Sequence, residues 1–486
     1  MNIDFHAIMP ELFLTGTILV VLVADLFLPR ERKWVCMPIA FVGVIGALIA
    51  ALTLINANRT TFGGMYVVDN FAVLFKVFFL STAAVVLGLS LRYMRDGRYF
   101  QGEYYVLLLA AFLGCVTMPS SRDLLMLFIS LELVSAPGFL IAAFRKTDPR
   151  SNEAGLKFFL IGVLSSAVML YGMSLIYGVT GSTHLADIGA KLGTLTGAKH
   201  TMSNAAILLV IVGFGFKVSA VPFQFWAPDT YEGSPVPVAA FLSTASKAAG
   251  FAGLLQLMFI AFAPNSDFWA PLFAVLSIAT MTIGNLVALQ QRQVVRLFAY
   301  SSIAQAGYML LPFALVGASG TIDAAAFRAV EIYILIYSIM NLGAFAVLTS
   351  VAREAPSLLV EDFSGLMRRA PLIGGSMTVF LLSLAGIPPT AGFFAKLFVF
   401  AAAVESGGRA VGPWLAGVMV VNSVISLGYY ILIVRQMIFV EGVRRPFRSP
   451  VLVTGIVVTA ALAVFAIFLY PDMIARFPQA ATLVSH

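Results

Sequence analysis

Stretches of about twenty apolar residues follow one another along almost the whole 486-residue chain, and this succession dictates what it can fold into. Each stretch is long enough to cross the hydrocarbon core of a bilayer as a helix. Only helices and closed barrels satisfy their own backbone there. Fourteen such spans are predicted, at about 8–28, 35–55, 66–91, 103–119, 122–143, 153–180, 203–221, 235–262, 269–290, 294–316, 325–352, 372–404, 414–437 and 451–470. The stretch 372–404 contains Gly386-Ile387-Pro388-Pro389-Thr390, which could divide it into two half-helices. The chain is 60% hydrophobic and 11% charged, against roughly 25% charged in a soluble domain. A water-soluble core cannot absorb that much apolar surface, so the fold class is an all-α polytopic membrane protein. Residues 1–11 hold Asp4 and Glu11 but no Lys or Arg. They lack the basic start of a signal peptide, so the first span reads as an uncleaved helix.

The net charge of +7 is not a nucleic-acid signal, because the basic residues are dispersed among short inter-helix loops. Eighteen of the 30 Lys and Arg fall in loops after odd-numbered spans, seven on the opposite side and five inside spans. By the positive-inside rule, this bias puts the odd-numbered loops in the cytoplasm and both termini outside. Cys36 and Cys115 lie far apart in apolar settings and read as small buried thiols. The four histidines, His6, His184, His200 and His486, fall at ends or in loops, so none forms a metal-ligand pair. Phosphate loops and nucleophile triads are absent, since Gly213-Phe214-Gly215 sits inside an apolar span without the strand-to-helix setting.

Five lysines stand inside the spans: Lys76, Lys157, Lys217, Lys247 and Lys396. An ionisable group near a bilayer midplane costs roughly 2.5–3.5 kcal/mol on insertion scales, so repeated instances point to ion movement. Lys217 precedes Val221-Pro222, and Lys396 follows Pro388-Pro389. Proline removes a backbone donor and opens the helix locally, and such broken helices mark the ion sites of transporters. Lys247, among Ser243, Thr244 and Ser246, is near the centre of its span and reaches neither interface easily. Lys76 reads as a lysine that snorkels to an interface, while for Lys157 snorkelling and relay both stay open. Glu132, in the middle of span 5, must be protonated or paired, either as a static staple or as part of a relay.

The breaks in spans 7 and 12 are five helices apart. Five is odd, so the two copies would have opposite orientations, the pattern of inverted five-helix repeats, with Lys396 expected in the second in the role matching that of Lys217. The predicted organisation is three N-terminal helices at 1–102, a first repeat at 103–262, a second, inverted repeat at 263–440 and a C-terminal helix at 441–486.

Several segments together carry a resemblance. They are Ser130-Leu131-Glu132-Leu133, Lys217 leading into Val221-Pro222-Phe223-Gln224-Phe225-Trp226-Ala227-Pro228-Asp229, and Thr230-Tyr231-Glu232-Gly233-Ser234-Pro235. Further along come Ser243-Thr244-Ala245-Ser246-Lys247, Ala299-Tyr300-Ser301-Ser302-Ile303 and Leu384-Ala385-Gly386-Ile387-Pro388-Pro389-Thr390-Ala391-Gly392-Phe393. In order and spacing, over about residues 100–440, the chain resembles the antiporter-like membrane subunits of respiratory complex I, the proton-pumping NADH:quinone oxidoreductase. Among the three such subunits it is most similar to the one with lysine, rather than glutamate, at the position of Lys396. The resemblance implies that Glu132, Lys217, Lys247 and Lys396 form a proton relay, with Lys157 a further member. Glu132 and Lys217 would be a switchable pair controlling transfer through Lys247 towards Lys396. Gln305 departs from the family pattern, in which many relatives carry histidine; glutamine cannot change charge, so water is expected to serve there.

The resemblance further implies a bacterial cytoplasmic membrane and neighbouring membrane-arm subunits, including relatives of subunits M and K. It implies no cofactor in this chain, with flavin, iron–sulfur clusters and quinone on other subunits. A subunit of a multisubunit cation/proton antiporter and a subunit of a hydrogenase-like membrane complex are the alternatives on physical grounds.

Overall fold

Helix starts are written in the loops. Asp69 accepts from the Ala72 amide at 2.8 Å and caps one helix, Asp123 from Leu125 at 2.8 Å and Asp148 from Arg150 at 3.0 Å, the last with Pro149 in the first turn. Each aspartate satisfies an amide that has no intrahelical partner, which matters more at a membrane boundary than in water.

The computed structural model describes residues 3–97, 99, 101–315, 324–405, 411–442 and 447–480. Of the residues behind the charge bias, Arg98, Arg409, Arg444 and Arg445 lie outside these, as do His486 and the predicted end of span 10 at 316. The helices are α1 Met9–Phe27, α2 Cys36–Leu52, α3 Asn70–Asp96, α4 Gln101–Thr117, α5 Leu124–Ala142, α6 Pro149–Thr180, α7 Leu185–Leu192 and α8 Gly197–Val218. They continue as α9 Trp226–Gly233, α10 Val236–Phe241, α11 Lys247–Gln256, α12 Ser266–Ala288, α13 Val294–Leu310 and α14 Ala324–Val351. The last are α15 Leu366–Arg369, α16 Pro371–Ala385, α17 Ala391–Glu405, α18 Val411–Phe439, α19 Val451–Leu469 and α20 Asp472–Ala480. A short antiparallel hairpin, β1 Arg59–Thr61 and β2 Tyr66–Val68, pairs Arg59 with Val68 and Thr61 with Tyr66. It occupies a stretch that the sequence reading divides between a loop and the start of span 3.

Thirteen helical stretches among the described residues are long and apolar enough to span a membrane. The remaining predicted span, the twelfth at 372–404, is a pair, α16 and α17, of 15 residues each. At 1.5 Å per residue either half covers only about 22 Å, short of a hydrocarbon core of about 30 Å, so the two cross together. This is a multi-span membrane protein.

Three stretches form its interior. The apolar window of Val236–Ala261 is 100% buried and those of Ala324–Val351 and Val294–Ala314 are 94% and 89% buried, against 28% for Met9–Phe27 and Val451–Leu469. The central lysine therefore lies on the most enclosed helix of the chain. Within Val236–Ala261 two π-helical turns, Leu242–Ser246 and Leu257–Ala261, interrupt the α-helix, and Lys247 directly follows the first. Such turns are rare and concentrate at functional sites.

The two breaks share a local pattern. α8 ends at Ser219 (φ 61°) and α16 at Gly386 (φ 85°), both left-handed, and each stands three residues before the proline of a cis X-Pro bond, Pro222 and Pro389. In this register the partner of Lys396 is Asp229, and that of Lys217 is Leu384. Lys217 therefore ends the helix before its break, whereas Lys396 sits on the helix after its break. The expectation that the two lysines hold matching places in the two repeats is corrected on this point.

Candidate functional site: a line of buried lysines

Lys217, in the last turn of α8, is 3% exposed. Its Nζ donates to Ser135 Oγ on α5 at 2.9 Å. Its stem rests against Gly250 of α11, where an added Cβ would meet Lys217 Cγ at 3.0 Å. The broken segment after it is clamped from both sides. Val221 N donates to Thr280 Oγ1 of α12 at 3.0 Å, and Trp226 Nε1 donates to Phe216 O at 3.1 Å. The Trp226 ring also stacks on Phe158 of α6 with centroids 4.3 Å apart. A proline break frees backbone groups, and here side chains take them up, as a water-poor interior demands.

Lys247 donates to Ser302 of α13 twice, to its carbonyl at 2.8 Å and its Oγ at 2.6 Å. The π turn before it is anchored by Asn341 of α14, which donates to Ser243 Oγ at 2.8 Å. From Ser302, α13 carries the polar line onward. Ser301 shares a hydrogen bond with Tyr430 at 2.5 Å, and Gln305 Oε1 accepts from Tyr333 at 2.6 Å. Gln305 Nε2 donates to Leu384 O at 3.1 Å. Tyr308, one turn further along α13, places its ring under Lys396, with Nζ 4.8 Å from the centroid. Lys396 Nζ donates to Ala385 O at 2.8 Å. Both carbonyls at this end, Leu384 and Ala385, belong to the last turn of α16 and lack intrahelical partners because the helix stops. The second break thus supplies the acceptors for Gln305 and Lys396. Gly386 fits this corner for two reasons: its φ is +85°, and a Cβ there would lie 2.7 Å from Lys396 Cδ.

Lys217, Lys247 and Lys396 share one property. Each is buried, each donates only to neutral oxygen, and among the described residues none has a carboxylate within ion-pair distance. The other two lysines are paired. Lys157 contacts Glu153 and Asp229, both at 2.6 Å, and is 43% exposed, in a cluster where Asp229 and Glu232 also accept from Arg296 of α13 at 2.6 and 3.0 Å. That cluster ties α6 and α9 to α13, and it makes Lys157 a boundary ion pair. Lys76 contradicts the snorkelling expectation. It is fully buried, salt-bridged to Glu11 of α1, and donates to Tyr66 at 2.6 Å and to Val116 O at 3.3 Å. The acidic residue that holds it lies 65 positions away, so no local pattern reveals the pair.

Glu132 and Lys217 are not joined in this structure. Glu132 Oε1 accepts from Ser166 of α6 at 2.5 Å, while Lys217 holds Ser135, three residues on along α5. Glu132 is half-buried and borders a lateral groove of about 470 Å³ with Leu107, Phe128, Leu133 and Leu140.

Sequence reasoning missed several functional-looking groups. The tyrosines 308, 333 and 430 carry no signal in the one-dimensional pattern; their placement around Gln305, on α13 and on the facing helices, is what builds the line. Arg122, one of the seven basic residues counted on the side opposite the cytoplasmic loops, is 4% exposed and salt-bridged to the fully buried Asp69 at 2.6 Å. Glu331, the lone carboxylate of the apolar span 325–352, is 0% exposed.

A profile described as NADH:quinone oxidoreductase/Mrp antiporter, TM matches residues 121–426, which contain every group of this line except Tyr430. The NADH-quinone oxidoreductase subunit N of Trichlorobacter lovleyi is 39% identical over 485 residues, 99% of this chain and 97% of that protein. A chain in the structure of respiratory complex I from Thermus thermophilus with bound aureothin is similar at 31% identity with a TM-score of 0.80, covering 97% of this chain and 100% of that one. A chain of the membrane-bound sulfane sulfur reductase, an archaeal respiratory membrane complex, shares the fold, at 20% identity and a TM-score of 0.86 over 98% of this chain and 97% of that one. This chain belongs to the NADH:quinone oxidoreductase/Mrp antiporter family of membrane subunits, in its subunit N group.

Proposed function

We propose that this chain is a proton-translocating membrane-arm subunit of an NADH:quinone oxidoreductase, moving protons outward while electrons pass from NADH to quinone in other subunits. The observation that carries this reading is the contrast among the lysines. A static staple in a membrane interior is a paired group, as Lys76 is with Glu11. Three buried ammonium groups held only by hydroxyl and carbonyl oxygens are instead arranged to give up and regain a proton, since neither state leaves a carboxylate stranded.

Glu132 and Lys217 act as the switch in this proposal. Ser135 and Glu132 are three residues apart on one helix, neighbours on the same face. Moving the Lys217 ammonium from Ser135 to Glu132, one turn along α5, would form the pair. Forming that pair holds the proton at Lys217. Breaking it releases the proton towards Lys247, from which Ser302, Gln305 and the tyrosines lead to Lys396. Moving one charge against 150–200 mV takes roughly 3.5–4.6 kcal/mol, at about 2.3 per 100 mV. A pair made and broken in a poorly solvated site is of that order, whereas an exposed pair is worth about 0–1 kcal/mol.

The remaining assignments belong to the same proposal. Residues 103–262 and 263–440 form the two inverted repeats, supported by the shared geometry of the breaks. The membrane is the bacterial cytoplasmic membrane with both termini outside, supported by the charge bias. The partners are adjoining subunits, including relatives of subunits M and K, one of which would cover Glu132 along the lateral groove. Flavin, iron–sulfur clusters and quinone would be held by other subunits. Purification of the native assembly tests this: NADH-to-quinone activity should travel with the chain. A lone chain that exchanges Na⁺ for H⁺ in liposomes would overturn it in favour of a self-sufficient antiporter.

A further inference from the structure

One buried titratable group takes no part in the line of lysines. Glu331 of α14 is 0% exposed, and neither carboxyl oxygen has a hydrogen-bond partner among the described residues. Aromatic rings lie on its side of α14. Phe327, one turn earlier on the same face, packs against Phe71 of α3 and Phe259 with ring centroids 5.8 and 5.2 Å away. Among the described residues, the charges that act on it are Asp69, which caps the start of α3, and Arg328, one turn away on its own helix. Asp69 is itself taken up by Arg122, which also donates to Gln256 of α11. Arg328 is only partly buried and lies near the start of α14, where its Nε donates to Ala324 O.

A carboxyl group that makes no hydrogen bond contributes nothing to packing that a leucine or glutamine would not. Ionised and unpaired in this setting, it would cost several kcal/mol. Its distinguishing capacity is to hold a proton. Its position along α14 gives that capacity a direction. Asn341, ten residues on and about 15 Å along the helix, hydrogen-bonds Ser243 beside Lys247. Ser338, two turns from Glu331 on the same face, is buried between them. Glu331 thus stands between the central lysine and the membrane face where α14 begins, with a cation one turn nearer that face.

We propose that Glu331 is a further proton-carrying site, passing protons between the central lysine line and the membrane face at the start of α14, with Arg328 steadying the carboxylate after release. This rests on the proposed proton-translocating function. In the step, the O–H bond of the Glu331 carboxyl breaks and the proton goes to water at that face. The carboxylate is then reprotonated by a proton released from Lys247 Nζ, so charge and atoms balance without any redox partner.

The test uses the assembled complex in native membrane vesicles. Glu331→Gln keeps the shape and removes the titration. It should abolish a carboxylic-acid carbonyl band from the infrared difference spectrum between resting and turning-over complex, and lower the number of protons pumped per electron. An unchanged spectrum, or a normal proton-to-electron ratio in an assembled complex, overturns the inference. If the glutamine variant does not assemble, Glu331→Asp should shift the band, and an unshifted spectrum overturns the inference equally. Lys247→Arg separates the two readings. If that variant stops pumping while Glu331→Gln pumps normally, only the Glu331 site fails. If both pump normally, the relay itself fails.

Discussion

Replacing Lys247 with arginine separates charge from proton transfer. Lys247 is 2% exposed, and its ammonium has two acceptors, the carbonyl and hydroxyl of Ser302. Arginine keeps the positive charge, but its intrinsic pKa exceeds that of lysine by about 2.1–3.4 units. At about 1.36 kcal/mol per unit, releasing the proton costs about 3–4.6 kcal/mol more, a slowing of roughly 10²–10³-fold. The guanidinium also brings five donors to a site that offers two acceptors, and overpacking costs about 1–3 kcal/mol. Lys247→Met, close in length and uncharged, controls for packing and should likewise lose pumping. The assay is proton uptake and release in vesicles alongside NADH-to-quinone turnover, with subunit content checked on the purified complex. Because the two processes are coupled, turnover should fall with pumping. A Lys247→Arg complex that assembles and pumps at the normal proton-to-electron ratio would refute the role of Lys247 as a protonation relay.

Gly386→Ala should destabilise the second break by more than about 1 kcal/mol, because φ is +85° and the new Cβ would press on Lys396 Cδ; thermal denaturation of the complex and its pumping ratio should fall together. Lys76→Met strands Glu11 in a buried site and should cost about 3–5 kcal/mol, read as lower thermal stability. Glu11→Gln with Lys76→Met should recover most of that loss, and a stable Lys76→Met complex with an altered proton-to-electron ratio would show Lys76 to be a relay group instead. Ser135→Ala removes the present acceptor of Lys217 and should favour the pair with Glu132, changing pumping without affecting assembly; an unaltered ratio would argue against the switch. Reporter fusions in the 144–152 loop should behave as cytoplasmic and those at 184–200 as external, and the reverse result would invert the orientation.

The helical membrane class was legible from one-dimensional information, because a bilayer imposes its thickness on the chain directly: about twenty apolar residues make a span whatever they touch. The break at Pro222 and the division of 372–404 at Pro388-Pro389 were legible too, since proline acts on its own helix. So were Lys217, Lys247 and Lys396 as groups out of place in lipid. What each lysine does was not in the sequence, because it depends on what faces it across helices. Lys76 and Lys247 look alike in one dimension. One meets Glu11 from 65 positions away and is neutralised, and the other meets a serine on α13 and stays free. Gln305, read as a gap in the relay to be filled by water, proves to be joined by Tyr333 and the carbonyl that the second break leaves open. Glu331 and the Asp69–Arg122 pair went unread for the same reason. Burial and pairing are properties of the assembled bundle, and a lone polar residue in an apolar span becomes a staple or a proton site only when the neighbouring helices close around it.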